Sequence, residues 1–254
     1  METLAFYFAL ALGINLAMFV PAFIFKTDRL TDISYALSFI VLASVAFLNS
    51  SLNDAHLVLL VAITVWAVRL GGFLLFRIWK IKRDKRFDDK RDNFVKFLAF
   101  WVLQGISVFI VLVSSLLVFD TPDIKLTLLS YFGLAVFAVG LLLEATADIE
   151  KYRFNSNPQN KGKWIATGVW GRSRHPNYLG EMLVWIGLYI FGIPVLPLSG
   201  LVIGLVSPLY IIVLLLFVSG IPLLEKAADA KWGKDKKYQE YKKHTPALLP
   251  KIFS

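Results

Sequence analysis

Glu144 and Asp148 stand four residues apart at the end of an apolar stretch, so on a helix both carboxylates lie on one face near the end of the segment. Glu144 sits behind Leu141, Leu142 and Leu143, where an ionised group without donors around it costs several kcal/mol, so it calls for a partner or a ligand. For Asp148 the alternatives are interfacial water and a pairing with Lys151. Further along come Thr167-Gly168-Val169-Trp170-Gly171 and then Arg172-Ser173-Arg174-His175-Pro176-Asn177. Gly and Pro fix an irregular backbone there, and two guanidiniums and a histidine around its amides make a receptor for phosphate, whether of a cofactor or of a lipid headgroup. Pro176 suits the first turn of a helix on which Asn177 and Glu181 are i, i+4 neighbours. An amide and a carboxylate on one face can read a ribose hydroxyl or a carboxamide, or simply bond a neighbouring helix.

A second constellation lies near the N-terminus. Asp32 and Tyr35 are one helical turn apart at the mouth of an apolar run, so a carboxyl and a phenol can share one substrate carbonyl. Either can be the acid, the phenol because it is protonated at neutral pH and the carboxyl if an apolar cavity keeps its proton on. Asp32 also reads as a helix N-cap. Arg69 lies within the third apolar run, where a cation implies a partner or a watery cavity. Asp32 and Glu144 are its natural partners, and a structural ion pair and a cofactor contact both fit.

The elements that must position these groups are membrane helices. Of 254 residues, 57% are hydrophobic and 18% charged, and the mean hydropathy is +0.64, too apolar for an ordinary water-soluble domain. Apolar runs at 3–25, 33–49, 56–79, 94–119, 124–147, 179–195 and 199–224 predict an all-α integral membrane protein of about seven transmembrane helices. Segments 80–96, 148–178 and 225–254 hold eight, six and eight Lys or Arg. The positive-inside rule therefore places them in the cytoplasm, with the N-terminus outside and the C-terminus inside. The first run has no basic n-region and no cleavage signature, so it is expected to be a retained helix. A single membrane domain over 1–254 is expected, with residues 1–119 on the substrate side and 120–254 binding the cofactor.

The net charge of +9 sits in loops between apolar spans, which points to anionic lipid or an anionic cofactor and away from nucleic acid. The absence of cysteine excludes disulfides, thiolate metal sites and a cysteine nucleophile. His56, His175 and His244 have no metal-ligand spacing, and no metal is expected.

The segment from Ser173 to Glu181, Ser-Arg-His-Pro-Asn-Tyr-Leu-Gly-Glu, preceded by Asp148 and by Gly168-Val169-Trp170, resembles the C-terminal signature of the steroid 5-alpha-reductase family and its bacterial homologues. The resemblance runs over roughly 140–254 and includes Tyr238-Gln239-Glu240-Tyr241 followed by Thr245-Pro246-Ala247-Leu248-Leu249-Pro250. It implies a seven-helix membrane reductase, with NADPH in a cytoplasm-facing cavity, that reduces a carbon-carbon double bond conjugated to a carbonyl. Glu144, Asp148, Asn177 and Glu181 match residues that contact the cofactor, and basic residues of the 151–174 region match those that hold its phosphates. The cofactor set expected here is Arg69, Glu144, Asp148, Arg153, Lys163, Arg172, Arg174, His175, Asn177, Tyr178, Glu181, Glu225 and Tyr241. By spacing, Thr31-Asp32 and Trp66 stand where steroid-reducing members carry a Gln-Glu pair and a Tyr that polarise the substrate carbonyl. The acid is thus kept in kind while the Gln and Tyr are replaced, so the catalytic set is Asp32, Tyr35 and Trp66, acting on a steroid or another lipophilic enone.

The expected setting is multi-pass integral membrane, bacterial inner membrane or endoplasmic reticulum. The expected partners are a lipophilic small molecule and membrane lipids, with the protein a monomer. A competing reading is an S-adenosylmethionine-dependent membrane methyltransferase of the isoprenylcysteine or phospholipid type, where a related Arg-His-Pro-x-Tyr-x-Gly pattern occurs. A scaffold or transporter fits less well, because the polar residues gather at one face and do not line a path through the midplane.

Overall fold

The computed structural model describes residues 2–81 and 90–250. Part of the basic segment 80–96, at 82–89, and the end of the 225–254 segment lie outside the described residues. Within them the chain is all helical, with no strand. Five long helices come first: α1 (Glu2–Ile24), α2 (Arg29–Leu48), α3 (Asp54–Ile81), α4 (Phe94–Phe119) and α5 (Leu128–Ser156). Then come α6 (Pro176–Gly192), α7 (Leu198–Gly204), α8 (Val206–Val213), a π-helical turn at Leu214–Val218, α9 (Ile221–Trp232) and α10 (Lys236–His244).

Among the described residues, six helical stretches are long and apolar enough to cross a membrane: α1 to α5 and the composite Leu198–Trp232. The sequence predicts seven spans. The remaining one, α6, has 17 residues, or about 25 Å at 1.5 Å per residue, which is short of a hydrocarbon core of about 30 Å. Its apolar run continues to 195, but the helix stops at Gly192 ahead of Pro194, whose ring and missing N–H do not suit a helix interior. The second span begins earlier than its apolar run, at Arg29. Asp28 takes the cap position there, so Asp32 lies within the first turn and is not the N-cap.

The chain divides into two compact units. The first comprises residues 1–127 and 192–207. Its core holds fully buried Phe39, Trp66 and Leu112, with Trp101, Phe97, Phe19 and Ala22 in a second apolar cluster. A polar knot joins three of its helices. The Gln104 amide nitrogen on α4 donates to Asn15 Oδ1 on α1 (2.9 Å), and to Ser34 Oγ (2.9 Å) and Thr31 O (3.1 Å) on α2. Asn15 Nδ2 donates in turn to Ser38 Oγ at 3.1 Å. All these residues are buried within membrane-spanning helices, where polar groups must find their partners in the protein. One face of α2, through Thr31, Ser34 and Ser38, is thereby turned to α1 and α4.

The second unit comprises residues 128–191 and 208–254. Here α5 and α6 run antiparallel with their backbones in contact. Gly133 and Gly140 on α5, and Gly180 and Gly187 on α6, are each spaced seven residues apart, about two helical turns, so each pair lies on one stripe. A Cβ on Gly133 would stand 2.5 Å from Phe191 N and 2.6 Å from Gly187 O. One on Gly140 would stand 2.6 Å from Gly180 O, and one on Gly180 2.6 Å from Glu144 N. No side chain fits at these points, and the hydroxyl of Ser130 donates to Phe191 O at 3.3 Å along the same seam. The register is fixed at atomic contact.

Gly140→Ala is therefore expected to destabilise the protein by about 1–3 kcal/mol, since only backbone movement can relieve the overlap. Gly72→Ala, where an added Cβ meets nothing within 4 Å, serves as the matched control and is expected to be neutral or slightly stabilising. Thermal unfolding in detergent checks both.

Candidate functional site

The glycine seam determines what stands beside what in the second unit. Because the Glu144 backbone lies against Gly180, the Glu144 carboxylate belongs at the level of the first turns of α6, where Asn177, Tyr178 and Glu181 project. Glu144 is 3% exposed, whereas Asp148, Asn177 and Glu181 are half-buried. Asp148 is one turn further along α5, toward the loop that precedes α6. Four of the residues nominated from the sequence thus share one end of one helix pair.

The end of α5 also builds the turn that follows. Gly168, with φ of +59°, has a backbone that only glycine adopts freely, and a Cβ there would overlap the Glu150 carboxylate. Glu150 Oε2 accepts from Val169 N at 3.0 Å, and Trp170 Nε1 donates to Ala147 O at 3.0 Å. Lys151 Nζ lies 4.5 Å from the Trp170 ring centroid. The Gly168–Gly171 3₁₀ turn is thus clamped onto α5 by its backbone, its indole and a cation.

Beyond it, Arg174 and His175 converge on Glu225 of α9. Arg174 Nε and Nη2 donate to the two Glu225 oxygens at 3.0 and 3.1 Å, and His175 Nε2 lies 2.7 Å from Oε1. Lys242 Nζ is 3.2 Å from Glu225 Oε2 and 2.7 Å from Asp229. Arg174 Nη1 also donates to the carbonyls of Lys242, at 3.0 Å, and of Thr245, and its backbone N to Pro246 O at 2.9 Å. Four of the five N–H donors of this guanidinium are used inside the protein. Arg174 therefore anchors the C-terminal segment as well as facing the loop.

Tyr241 completes the anchor by donating its hydroxyl to Trp170 O at 2.8 Å. Burial pushes its phenol up to about 12, so it remains a donor through neutral pH. The hydrogen bond that Lys242 donates to the Asp229 carboxylate raises Lys242 above the ordinary lysine value. His175 stacks on Tyr178, with centroids 5.9 Å apart and planes 15° apart, and its Nδ1 is buried with no hydrogen-bond partner among the described residues. Arg172 is exposed and lines a cleft of about 350 Å³ with Leu143, Val169, Ser173, Pro176, Leu179 and Pro250. Arg153, in the last turn of α5, and Lys163, in the loop, are exposed.

In the first unit, Asp32 is 4.0 Å from Arg77 Nη2, and its side chain is 25% exposed. Tyr35 meets Phe39 edge-on at 4.9 Å, and Phe39 meets Trp66 at 4.9 Å, with Trp66 fully buried beneath it. The Arg69 guanidinium stands 5.9 Å from the Phe73 ring. Asp32 and Tyr35 thus share an α2 face turned toward α3, adjacent to the face that makes the Gln104 knot.

Sequence reasoning missed Glu150, Asp229, Lys242 and Thr245 at the second-unit site, and Asn15 and Gln104 in the first unit. Asn15 and Gln104 carried a usable signal, each being an amide within an otherwise apolar span. Glu150 carried none, because its role depends on the conformation of Gly168.

Membrane-spanning helices around a polar, carboxylate- and cation-bearing end define this as a multi-pass membrane protein with a candidate small-molecule site. It belongs to the DUF1295 family, described as proteins of unknown function, which it matches over residues 18–245. It is also similar to the probable O-methyltransferase ustE of Ustilaginoidea virens, with 46% identity over 46 residues, 18% of this chain and 16% of that protein. The similarity to that relative is local. No solved structure matches the chain.

Glu225→Gln leaves Arg174 and Lys242 facing a neutral amide, and breaking such a partly buried ion cluster costs on the order of 3 kcal/mol. The segment 236–250 is expected to loosen, measured as faster amide exchange there with α1–α4 unchanged. Raised pKa values at Tyr241 and Lys242 give the sign for alkali: both contributions are complete below about pH 10, the ordinary value of each group, and are lost as pH rises through the folded-state values. The chain has no cysteine, so a fluorophore on Gln239→Cys reports this release directly, with none expected between pH 6 and 9.

Proposed function

We propose that the protein is an NADPH-dependent membrane reductase that saturates a carbon-carbon double bond conjugated to a carbonyl in a lipophilic substrate. The observation that carries this reading is the seam register that groups Glu144, Asp148, Asn177 and Glu181 beside an Arg172-lined cleft. The residues present fit a dinucleotide. Carboxylates and an amide suit ribose hydroxyls and a carboxamide, and the exposed Arg153, Lys163 and Arg172 suit phosphates. The orphaned His175 Nδ1 is an acceptor or donor awaiting a polar group. Arg174, His175, Glu225 and Tyr241 act as the wall that holds this loop, with His175 and its stacked neighbour Tyr178 at the edge nearest the ligand.

When bound, NADPH supplies a hydride to the β-carbon, and a proton from the medium completes the saturated carbonyl compound. The chain's part is to orient and polarise. Asp32 or Tyr35 hydrogen-bonds the carbonyl oxygen as negative charge develops there, a contribution of about 10²- to 10³-fold in rate. Trp66, buried behind Phe39, supports Tyr35 through packing.

A second reading, an S-adenosylmethionine-dependent methyltransferase, is favoured by the local similarity to a protein named as an O-methyltransferase. It is helped by the commitment of Arg174 to Glu225, which removes one cation from phosphate binding, and by three carboxylates suited to a cationic cofactor.

Titration of the purified protein with NADPH, NADH and S-adenosylmethionine separates the two. NADPH is expected to bind more tightly than NADH, because the cations of 151–174 meet its extra phosphate. Asn177→Ala is expected to weaken NADPH by about 1–3 kcal/mol. Equal affinities for the two nicotinamide nucleotides would remove the phosphate argument. Tight S-adenosylmethionine binding without NADPH binding would establish the second reading.

A further inference from the structure

The last apolar segment, Leu198–Trp232, ends in a sharp change of surface. Phe217, Val218, Leu223 and Leu224 are exposed apolar side chains, with Phe217 at 70%. One turn later the exposed side chains are Lys226, Lys231 and Lys234, continued on α10 by Lys236, Lys237 and Lys243. On α10 the inward positions are aromatic: Tyr238 is buried against Trp164 (5.3 Å) and Trp232 (5.9 Å), which leaves the lysines facing out.

Between 226 and 244 there are seven lysines and three acids. Two of those acids are occupied, Asp229 by Lys242 and Asp235 by the Lys237 amide that it caps. A strong positive surface thus follows a strongly apolar one along the chain from the π-helical turn through α9 to α10. Water suits the lysines and not the apolar rim, while hydrocarbon suits the rim and not the lysines. The boundary between acyl chains and phosphate headgroups suits both, and polybasic segments next to a membrane helix are attracted there by anionic lipid. Aromatic rings at the junction match the same boundary.

We infer that the outward face of α9 and α10 is a docking surface for anionic lipid headgroups, the phosphodiester monoanions of phosphatidylglycerol-type lipids, in the leaflet where this span ends. The inference is independent of which cofactor the protein uses. It gives the tail a second function: α10 is held from within by Tyr241, Lys242 and Arg174, and from outside by the membrane charge.

The test is amide exchange of the full-length protein in nanodiscs of phosphatidylglycerol and of phosphatidylcholine. Exchange over 226–244 is expected to be at least about fivefold slower in phosphatidylglycerol, with the difference abolished by about 0.5 M salt. The combined variant Lys234→Gln, Lys236→Gln, Lys237→Gln and Lys243→Gln is expected to lose the difference while the α5–α6 seam keeps its protection. Equal exchange in the two lipids, or protection that survives the four substitutions, would overturn the inference. So would protection in phosphatidylcholine discs on adding inorganic phosphate, which would reassign the surface to soluble phosphates.

Discussion

Close backbone contact between α5 and α6 is the constraint on which the second unit depends. Gly133, Gly140, Gly180 and Gly187 admit no Cβ, so the two helices approach until main-chain atoms touch. In hydrocarbon there is little hydrophobic gain from association, and close van der Waals packing of small residues takes its place. This contact fixes the rotation and the level of both helices at once. Moving the register by one residue would turn Glu144 away from the α6 N-terminal turns and take Trp170 away from the Ala147 carbonyl that accepts its indole N–H. The site is thus a consequence of four residues that carry no chemistry.

A partly buried carboxylate is costly unless its partners are close and numerous. Glu225 meets a bidentate guanidinium from Arg174, the ammonium of Lys242 and a short imidazole contact from His175. Strength here serves order more than affinity. An isolated surface ion pair is worth about 0–1 kcal/mol, but a cluster sharing one carboxylate restricts several side chains together. The gain is that the loop 172–175, the start of α9 and the end of α10 are held as one piece. Arg174, which the sequence offers as a phosphate ligand, is spent mainly on this task, while Arg172 two residues earlier faces the cleft.

Much of this was legible before any coordinates. Apolar runs place α1 to α4 within about four residues, while α5 continues to Ser156, past the end of its apolar run at 147, and the i, i+4 spacings of Glu144 with Asp148 and of Asn177 with Glu181 point to the end of the α5–α6 pair. The positive-inside pattern and the seven-span count rest on the sequence alone, and α6 shows why counting runs overstates length: hydropathy continues past Gly192 although the helix does not. The anchor of Arg174 to Glu225 could not be read from spacing, because the partners are 51 residues apart. The Asn15–Gln104 bond, across 89 residues, was hidden for the same reason. Pairings of that separation depend on packing, which a single sequence does not display.

The central claim is that the seam-aligned end of α5 and α6, with the Gly168–Gly171 turn, receives a nucleotide cofactor. Amide exchange of the full-length protein with and without saturating NADPH tests it most directly. The account predicts slower exchange at 144–153 and 168–181 on addition of NADPH, and no change in α1 around Asn15. Unchanged exchange in both segments, or protection confined to other helices, would contradict it.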